Sequence, residues 1–319
     1  MRNSTFPNEG NYTISLIFGL VFLPVAVAVF ILSGPGGVLS SSEVVYEKES
    51  LYHYINVIDD GPIRALQFRK GPGANWQSAI NLENPGEHVL EYTRMLFAGL
   101  AFVAQPEDIL IIGLGGGIVP TEFRKQYPSA RIDIVELDRE VLKVAERFFA
   151  FDSASFNVHI DDGRVYMRLA REKGRKYDII VLDAFNGAYI PPHLTTAEFL
   201  RQVFALLKEN GCVTSNIHHR NRLYEYQQRT YAAVAPHNYT FRGADNTVVI
   251  STGNIPLKSA GVIQQNLAAL QLEMPFTFDL RAVGDQLLDK PDWPLQGEIL
   301  TDNYSPVNIL NARQRKAGG

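Results

Sequence analysis

The chain has 319 residues, 46% hydrophobic and 20% charged, with a formal net charge of −4. This is globular composition, sufficient for one large or two modest domains. The slight acidity argues against a clustered basic surface, so no nucleic-acid partner is expected. The single cysteine, Cys212, excludes an internal disulfide and a cysteine-rich metal site.

Residues 14–32, "ISLIFGLVFLPVAVAVFIL", form an uncharged apolar run. As a helix this run spans roughly 28 Å, about one hydrocarbon core, and Pro24 inside it is tolerable in a membrane helix. A cleaved signal peptide is the rival, since "VLS" before Ser41 resembles a cleavage site. The run is longer than a usual signal-peptide core and its positive flank is only Arg2 and the amino terminus, which favours a retained single-pass anchor. Lys and Arg around the span give no orientation. Residues 1–42, ending in the small-residue stretch "SGPGGVLSSS", are therefore read as membrane anchor and linker.

Residues 43–104 read as a small N-terminal β-domain plus a helix. "LYHYINVIDD" and "IRALQFRKG" alternate as strands joined at Asp60-Gly61, and a short strand lies inside the following long loop. Residues 87–103 have apolar positions at helical spacing. From 105 to 255, short apolar strands alternate with helices: "DILIIG", "RIDIVEL", "FNVHI", "YDIIVLD" and "CVTSNIH" against four helical stretches. This is the pattern of an α/β fold with a Rossmann-like, doubly wound parallel sheet. The spacing predicts a helix over 195–211 closed by Gly211 as C-cap. An antiparallel hairpin follows, turning at Ala244 and Asp245. Residues 256–319 read as a mixed helix-and-loop extension packing on the core.

In such a sheet ligands bind at the carboxyl ends of the strands. The first strand ends in Gly113, Gly115 and Gly117, a GxGxG loop that lets a ligand approach the backbone and the free N–H groups of the next helix. The spacing is not GxGxxG, which turns it away from a pyrophosphate-binding dinucleotide site. The second strand ends at Glu136, placed 23 positions after Gly113, where an acid can accept both hydroxyls of a ribose. Asp138 reads as the next helix's N-cap. The third ends in Asp161, Asp162 and Gly163; either acid can bind an adenine amino group or simply cap a helix. The fourth ends at Asp183, placed to act as a base or hold an amine. Acids at these successive strand ends fit a ligand of adenine and ribose without phosphate: an adenosyl sulfonium, S-adenosylmethionine or its decarboxylated form. His218 and His219 follow the fifth strand on opposite faces, so one of them lines the site and joint metal ligation is not expected. Trp76 and Trp293 read as packing residues.

The motifs "YEKESLYHYINV", "EHVLEYTRML", "GLGGG", "VELD", "DDG", "LDAFNGAYIPPHLTTAEF" and "LTDNYSPVN" resemble the spermidine synthase family, the polyamine aminopropyltransferases, and more closely its bacterial membrane-associated branch. The resemblance implies a small N-terminal β-domain on a class I methyltransferase-type core and a homo-oligomer, expected to be a dimer. It implies that Glu136 binds ribose, Asp162 binds adenine, Asp183 deprotonates or orients the attacking amine, and Tyr92 lines the substrate channel. His53 stands where the family has a cofactor-contacting glutamine, and Thr93 replaces another glutamine. Asn186 takes the place of the second aspartate of the DxxD motif, and Tyr304 would fold back over the site. Ile118 replaces the aspartate of GGGDG that holds the donor's aminopropyl amine. An ammonium buried without an anion costs several kcal/mol.

The expectation is thus a membrane-anchored transferase moving an aminopropyl group from decarboxylated S-adenosylmethionine to a polyamine acceptor, with no tightly bound cofactor and no metal. A methyltransferase using S-adenosylmethionine on a small amine or protein is the alternative, because "GLGGGIVPTEF" and "VELDREVLKVAERFF" also resemble related protein methyltransferases whose loop lacks the acid. A catalytically inactive nucleoside-binding module is the non-enzymatic rival. Adenosyl donors are made in the cytosol, so the catalytic part is expected there, with an exported topology as the other possibility.

Overall fold

The computed structural model describes residues 42–69, 75–185 and 189–306. The apolar run at 14–32 and Asn186 lie outside the described residues. Among the described residues no helix is long and apolar enough to cross a membrane.

Strands β1 (Glu43–Glu49), β2 (Tyr54–Asp60), β3 (Ile63–Gln67) and β4 (Trp76–Asn81) form an antiparallel meander in sequence order. The turn at Asp60-Gly61 joins β2 to β3 as expected, pairing Asp60 with Ile63. Where one helix is expected over 87–103, the chain instead forms a short α1 (Glu91–Met95) and a 3₁₀ turn, Leu96–Ala101. All six residues of the 3₁₀ turn are buried, so this stretch has no solvent face. Its backbone presses on the larger sheet at Gly99, where a Cβ would come within 2.5 Å of the Thr214 methyl.

The larger sheet is built from β5 (Asp108–Ile112), α2 (Ile118–Gln126), β6 (Arg131–Glu136), α3 (Arg139–Phe148), β7 (Asn157–Ile160), α4 (Gly163–Glu172), β8 (Tyr177–Leu182), α5 (Ala197–Phe204) and β9 (Leu207–His218). Then come α6 (Tyr224–Val234) and the hairpin of β10 (His237–Arg242) and β11 (Asn246–Thr252), followed by α7 (Ala260–Glu273) and α8 (Leu280–Gly284). Strand order is β10-β11-β9-β8-β5-β6-β7, with β9 to β7 parallel and the hairpin antiparallel. This is the Rossmann-like, methyltransferase-type α/β sheet. In β5, Ile109 and Ile111 enter one apolar cluster while Leu110 and Ile112 enter another. A strand buried on both faces reads as a continuous apolar run, which is why the parallel strands are visible in the sequence.

One boundary differs from the sequence reading. The helix expected to run to a Gly211 C-cap ends at Phe204, and Gly211 lies inside β9. A Cβ there would stand 3.0 Å from the carbonyl oxygens of both Tyr177 and Asp178, so close packing, not helix termination, explains the glycine. The β8–β9 ladder shifts register at this point, and Lys208 is held by Asp108 at 2.7 Å and Asp178 at 2.8 Å. Helix α6, which the sequence reading leaves unassigned, buries Gln227, Gln228, Arg229 and Thr230, so it lacks an apolar stripe to announce it.

Candidate active site

Strand order reverses between β5 and β8, and a crevice opens beyond their carboxyl ends, as in other doubly wound sheets. It is a cavity of about 1260 Å³, also lined by His53, Phe68, Trp76, Gln77 and Ser78 from the smaller sheet's side. Ligand pockets typically hold roughly 300–1,000 Å³, so there is room here for two substrates.

The floor is tied together at the strand ends. The Gly113 amide donates to the Val135 carbonyl at 2.8 Å, and the Asp183 amide to the Ile112 carbonyl at 2.9 Å. Gly113 has φ +101°, and a Cβ on it would lie 2.3 Å from the Asp183 carbonyl oxygen. No side chain fits that backbone or that space. Gly113→Ala is expected to cost about 3 kcal/mol or more, a fall in Tm of roughly 5–10 °C that a calorimetric melt reads directly. Gly115 also lines the cavity, against Ser78. Gly117 does not: it precedes α2, where a Cβ would strike the Phe151 ring at 2.4 Å, so this glycine serves packing.

Glu136 is buried at the end of β6. Its Oε2 accepts from the Leu114 amide at 3.0 Å and its Oε1 from the Asp138 amide at 2.8 Å. The carboxylate therefore fastens the glycine loop, and each oxygen keeps a lone pair for a ligand hydroxyl. Burial pushes its pKa up to about 7, against the pull of those amides. Asp138 caps α3 as expected, accepting from the Glu140 amide.

The two acids after β7 separate in role. Asp161 lines the cavity, and its Oδ1 accepts from the Asp162 amide at 2.8 Å. Asp162 caps α4 through Oδ1, which accepts from the amides of Arg164 and Val165, while its Oδ2 meets His193 Nε2 at 2.8 Å. The capping reading thus holds for one oxygen of this cavity-lining carboxylate, and His193 takes the other. Burial works to raise its pKa, but His193 and the capping amides outweigh that and hold it below the usual range. Gly163, the first residue of α4, lines the cavity beside it.

Asp183 follows β8. Its Oδ1 accepts from Asn216 Nδ2 at 2.8 Å, and Asn216 Oδ1 accepts in turn from Asn246 Nδ2 at 2.8 Å. The Tyr92 hydroxyl, which donates to the Gln77 carbonyl at 3.1 Å, also interacts with Asp183. Burial raises the Asp183 pKa to about 7, and the hydrogen bond from Asn216 and the neighbouring Tyr92 hydroxyl oppose it. Burial and the neighbouring Asp183 carboxyl push the Tyr92 phenol well above its ordinary value. A carboxyl poised near neutrality in a cleft is suited to proton transfer.

The structure also brings His53 to the cavity, stacked on Phe68 with centroids 3.9 Å apart and planes at 9°. Ile118 opens α2 on the cavity wall, half-buried against the apolar cluster of the smaller sheet. His218 lines the cavity while His219 turns to Thr247, as their opposite facing requires. Trp76 packs on the small apolar cluster of Ile58, Ala65 and Ala79 and also lines the cavity, and Trp293 packs on the core. Tyr304 does not close over the site: its hydroxyl bonds Glu298 and its backbone pairs with Thr301. Asn216, Asn246, His193, Gln77 and Glu91 are site residues that the sequence reading missed. Asn216 alone leaves a local signal, a polar residue near the end of an apolar strand. Among the described residues no cluster of three or more His, Cys, Asp or Glu is placed to hold a metal.

Comparisons with known proteins agree with this geometry. The family described as "Spermine/spermidine synthase domain" matches residues 87–243. A polyamine aminopropyltransferase from Vibrio vulnificus is 38% identical over 279 residues, covering 85% of this chain and 93% of that protein. A probable spermidine synthase from Corynebacterium glutamicum shares the fold, with a TM-score of 0.60 at 20% identity over 82% of this chain and 98% of that one. Human Methyltransferase-like protein 13, solved in complex with SAH, superposes with a TM-score of 0.53 at 26% identity over 69% of this chain and 99% of that one. A relative this similar across nearly its whole length makes the chain a transferase that belongs to the spermine/spermidine synthase family.

Proposed function

We propose that the protein binds decarboxylated S-adenosylmethionine and transfers its aminopropyl group to a polyamine acceptor. The observation that carries this reading is Asp183: a half-buried carboxyl with a pKa near neutrality, sharing one cavity with Glu136 and Asp162 and oriented by Asn216 and Tyr92. Glu136 would hold the ribose hydroxyls, Asp161 and Asp162 would face the base, and loop 113–117 would pass beneath the sulfonium. The acceptor's amine nitrogen attacks the aminopropyl carbon next to sulfur. The N–C bond forms, the C–S electron pair returns to sulfur to leave neutral methylthioadenosine, and the amine's proton passes to Asp183. Rate comes from alignment and from a carboxylate facing the developing ammonium. On this reading residues 14–32 attach the enzyme to a membrane, the catalytic part works in the cytosol, and the enzyme is a homodimer.

Ile118 favours a second reading, methyl transfer from S-adenosylmethionine, because the wall of α2 offers an apolar side chain where an aminopropyl ammonium needs an anion. The two separate in one assay. The full-length protein with decarboxylated S-adenosylmethionine and putrescine is expected to yield spermidine and methylthioadenosine in equal amounts, measured by mass spectrometry. Failure to form either, with labelled methyl passing from S-adenosylmethionine to an amine, would establish the second reading instead.

A further inference from the structure

The C-terminal segment around Asp302 is joined to the donor side of the cavity by a chain of polar contacts. Asp302 accepts both guanidinium nitrogens of Arg164, at 2.8 and 2.6 Å, and the Thr196 hydroxyl at 2.7 Å. Its own amide donates to Glu198 at 3.0 Å. Two residues earlier, buried Leu300 is pinned on both sides: its carbonyl accepts from the Ala197 amide and its amide donates to the Thr230 hydroxyl. Arg164 also reaches the His193 carbonyl at 3.3 Å, and His193 Nε2 meets Asp162 Oδ2 at 2.8 Å. Of these groups His193 and Asp162 line the cavity, whereas Arg164, Thr196 and Asp302 stand behind them.

A partly exposed ion pair contributes only about 0–1 kcal/mol of stability, so the value of this arrangement lies in its geometry. A bidentate guanidinium–carboxylate pair fixes orientation as well as charge. Arg164 carries the amide that caps onto Asp162, and its guanidinium feels the charges of Glu198 and Asp162 as well as that of Asp302. Deprived of Asp302, that cation would turn to the remaining carboxylates, Asp162 among them. The His193 carbonyl would then lose its guanidinium donor, and the loop bearing His193 its anchor.

We propose that Asp302 is a positioning residue of the donor site: through Arg164 and Thr196 it sets the loop bearing His193, whose Nε2 holds Asp162 Oδ2, and so orients the Asp162 carboxylate to accept the exocyclic amine of the donor's base. The proposal rests on the adenosyl-donor reading above, and its consequence is specific. Losing Asp302 sharply reduces discrimination for a 6-amino base while leaving the ribose end, assigned to Glu136, untouched.

The test is calorimetric titration of the full-length protein with methylthioadenosine and with its 6-oxo counterpart, methylthioinosine. A hydrogen bond to a charged acceptor predicts that the wild type binds the amino form at least roughly tenfold more tightly. In Asp302→Asn that ratio is expected to fall to about threefold or less, with affinity for the 6-oxo compound unchanged. Arg164→Gln is expected to give the same collapse and serves if the first variant does not fold. A variant that keeps the wild-type ratio overturns the positioning role and leaves the donor reading standing. So does an equal loss for both compounds, which would mark a merely structural role. A wild type that binds neither nucleoside overturns the donor reading and this proposal together.

Discussion

Asp183→Asn is expected to lower kcat/KM by about 10²- to 10⁴-fold, the usual worth of a positioned general base, while methylthioadenosine still binds normally. The substitution is nearly isosteric, and the new amide oxygen can keep accepting from Asn216 Nδ2, so the chain through Asn246 survives. What is lost is the lone pair that takes the amine's proton. The same group governs pH dependence. The protonated carboxyl cannot act as a base, so activity is low in acid and rises as pH climbs through about 7, where burial places the Asp183 pKa. Glu136 ionises in the same range, also because of burial, and on the proposed reading its anion is the form that would accept both ribose hydroxyls. The acid limb of log kcat/KM in the wild type therefore has a slope approaching two. In Asp183→Asn it falls to one, leaving the Glu136 ionisation. A variant that retains more than a tenth of wild-type activity with an unchanged limb would remove Asp183 from the chemistry.

Much of this site is legible in sequence because the strands that carry it are buried on both faces. "ILII", "IDIV" and "DIIVL" announce themselves as apolar runs, and the residue after each run must stand at the sheet's carboxyl edge. Glu136 and Asp183 follow directly, whereas Asp161 and Asp162 end the shorter β7, whose residues are part-buried or exposed. What orients those acids is not legible, because it comes from distant segments. Asn216 meets Asn246 across 30 positions, His193 meets Asp162 across 31, and Asp302 meets Arg164 across 138. No local periodicity encodes such pairs. The tail motif shows the difference well: family resemblance directs attention to Tyr304, whereas the fold uses Asp302, two residues earlier. The misplaced end of α5 has a similar cause. Gly211 after a charged stretch has the local look of a C-cap, and only the approach of the Tyr177 and Asp178 carbonyls reveals why glycine is required.

Ile118→Asp is expected to raise the ratio of kcat/KM for decarboxylated over carboxylated S-adenosylmethionine by about 10- to 100-fold, the equivalent of one charge-assisted hydrogen bond of roughly 1.5–3 kcal/mol. Position 118 is the first residue of α2 and lines the cavity. Free amides and the positive end of the helix dipole favour a carboxylate there, by about 0.3–1 kcal/mol. That gain offsets part of the cost of removing the isoleucine side chain from its packing against the smaller sheet. The introduced carboxylate would pair with the ammonium of the decarboxylated donor. It would also repel the carboxylate that the other donor retains, so the two effects act in the same direction on the ratio. Steady-state assays with each donor at limiting concentration measure it, and methylthioadenosine release reports aminopropyl transfer directly. A ratio that rises identifies Ile118 as the point at which this chain gave up the family's usual anion for its donor tail. A ratio that stays fixed, in a variant that still binds methylthioadenosine, means that the donor's tail does not pass over the first turn of α2. The ammonium would then have to find its counter-charge elsewhere in the cavity, where Glu91, Asp183 and Asp245 are carboxyls to test.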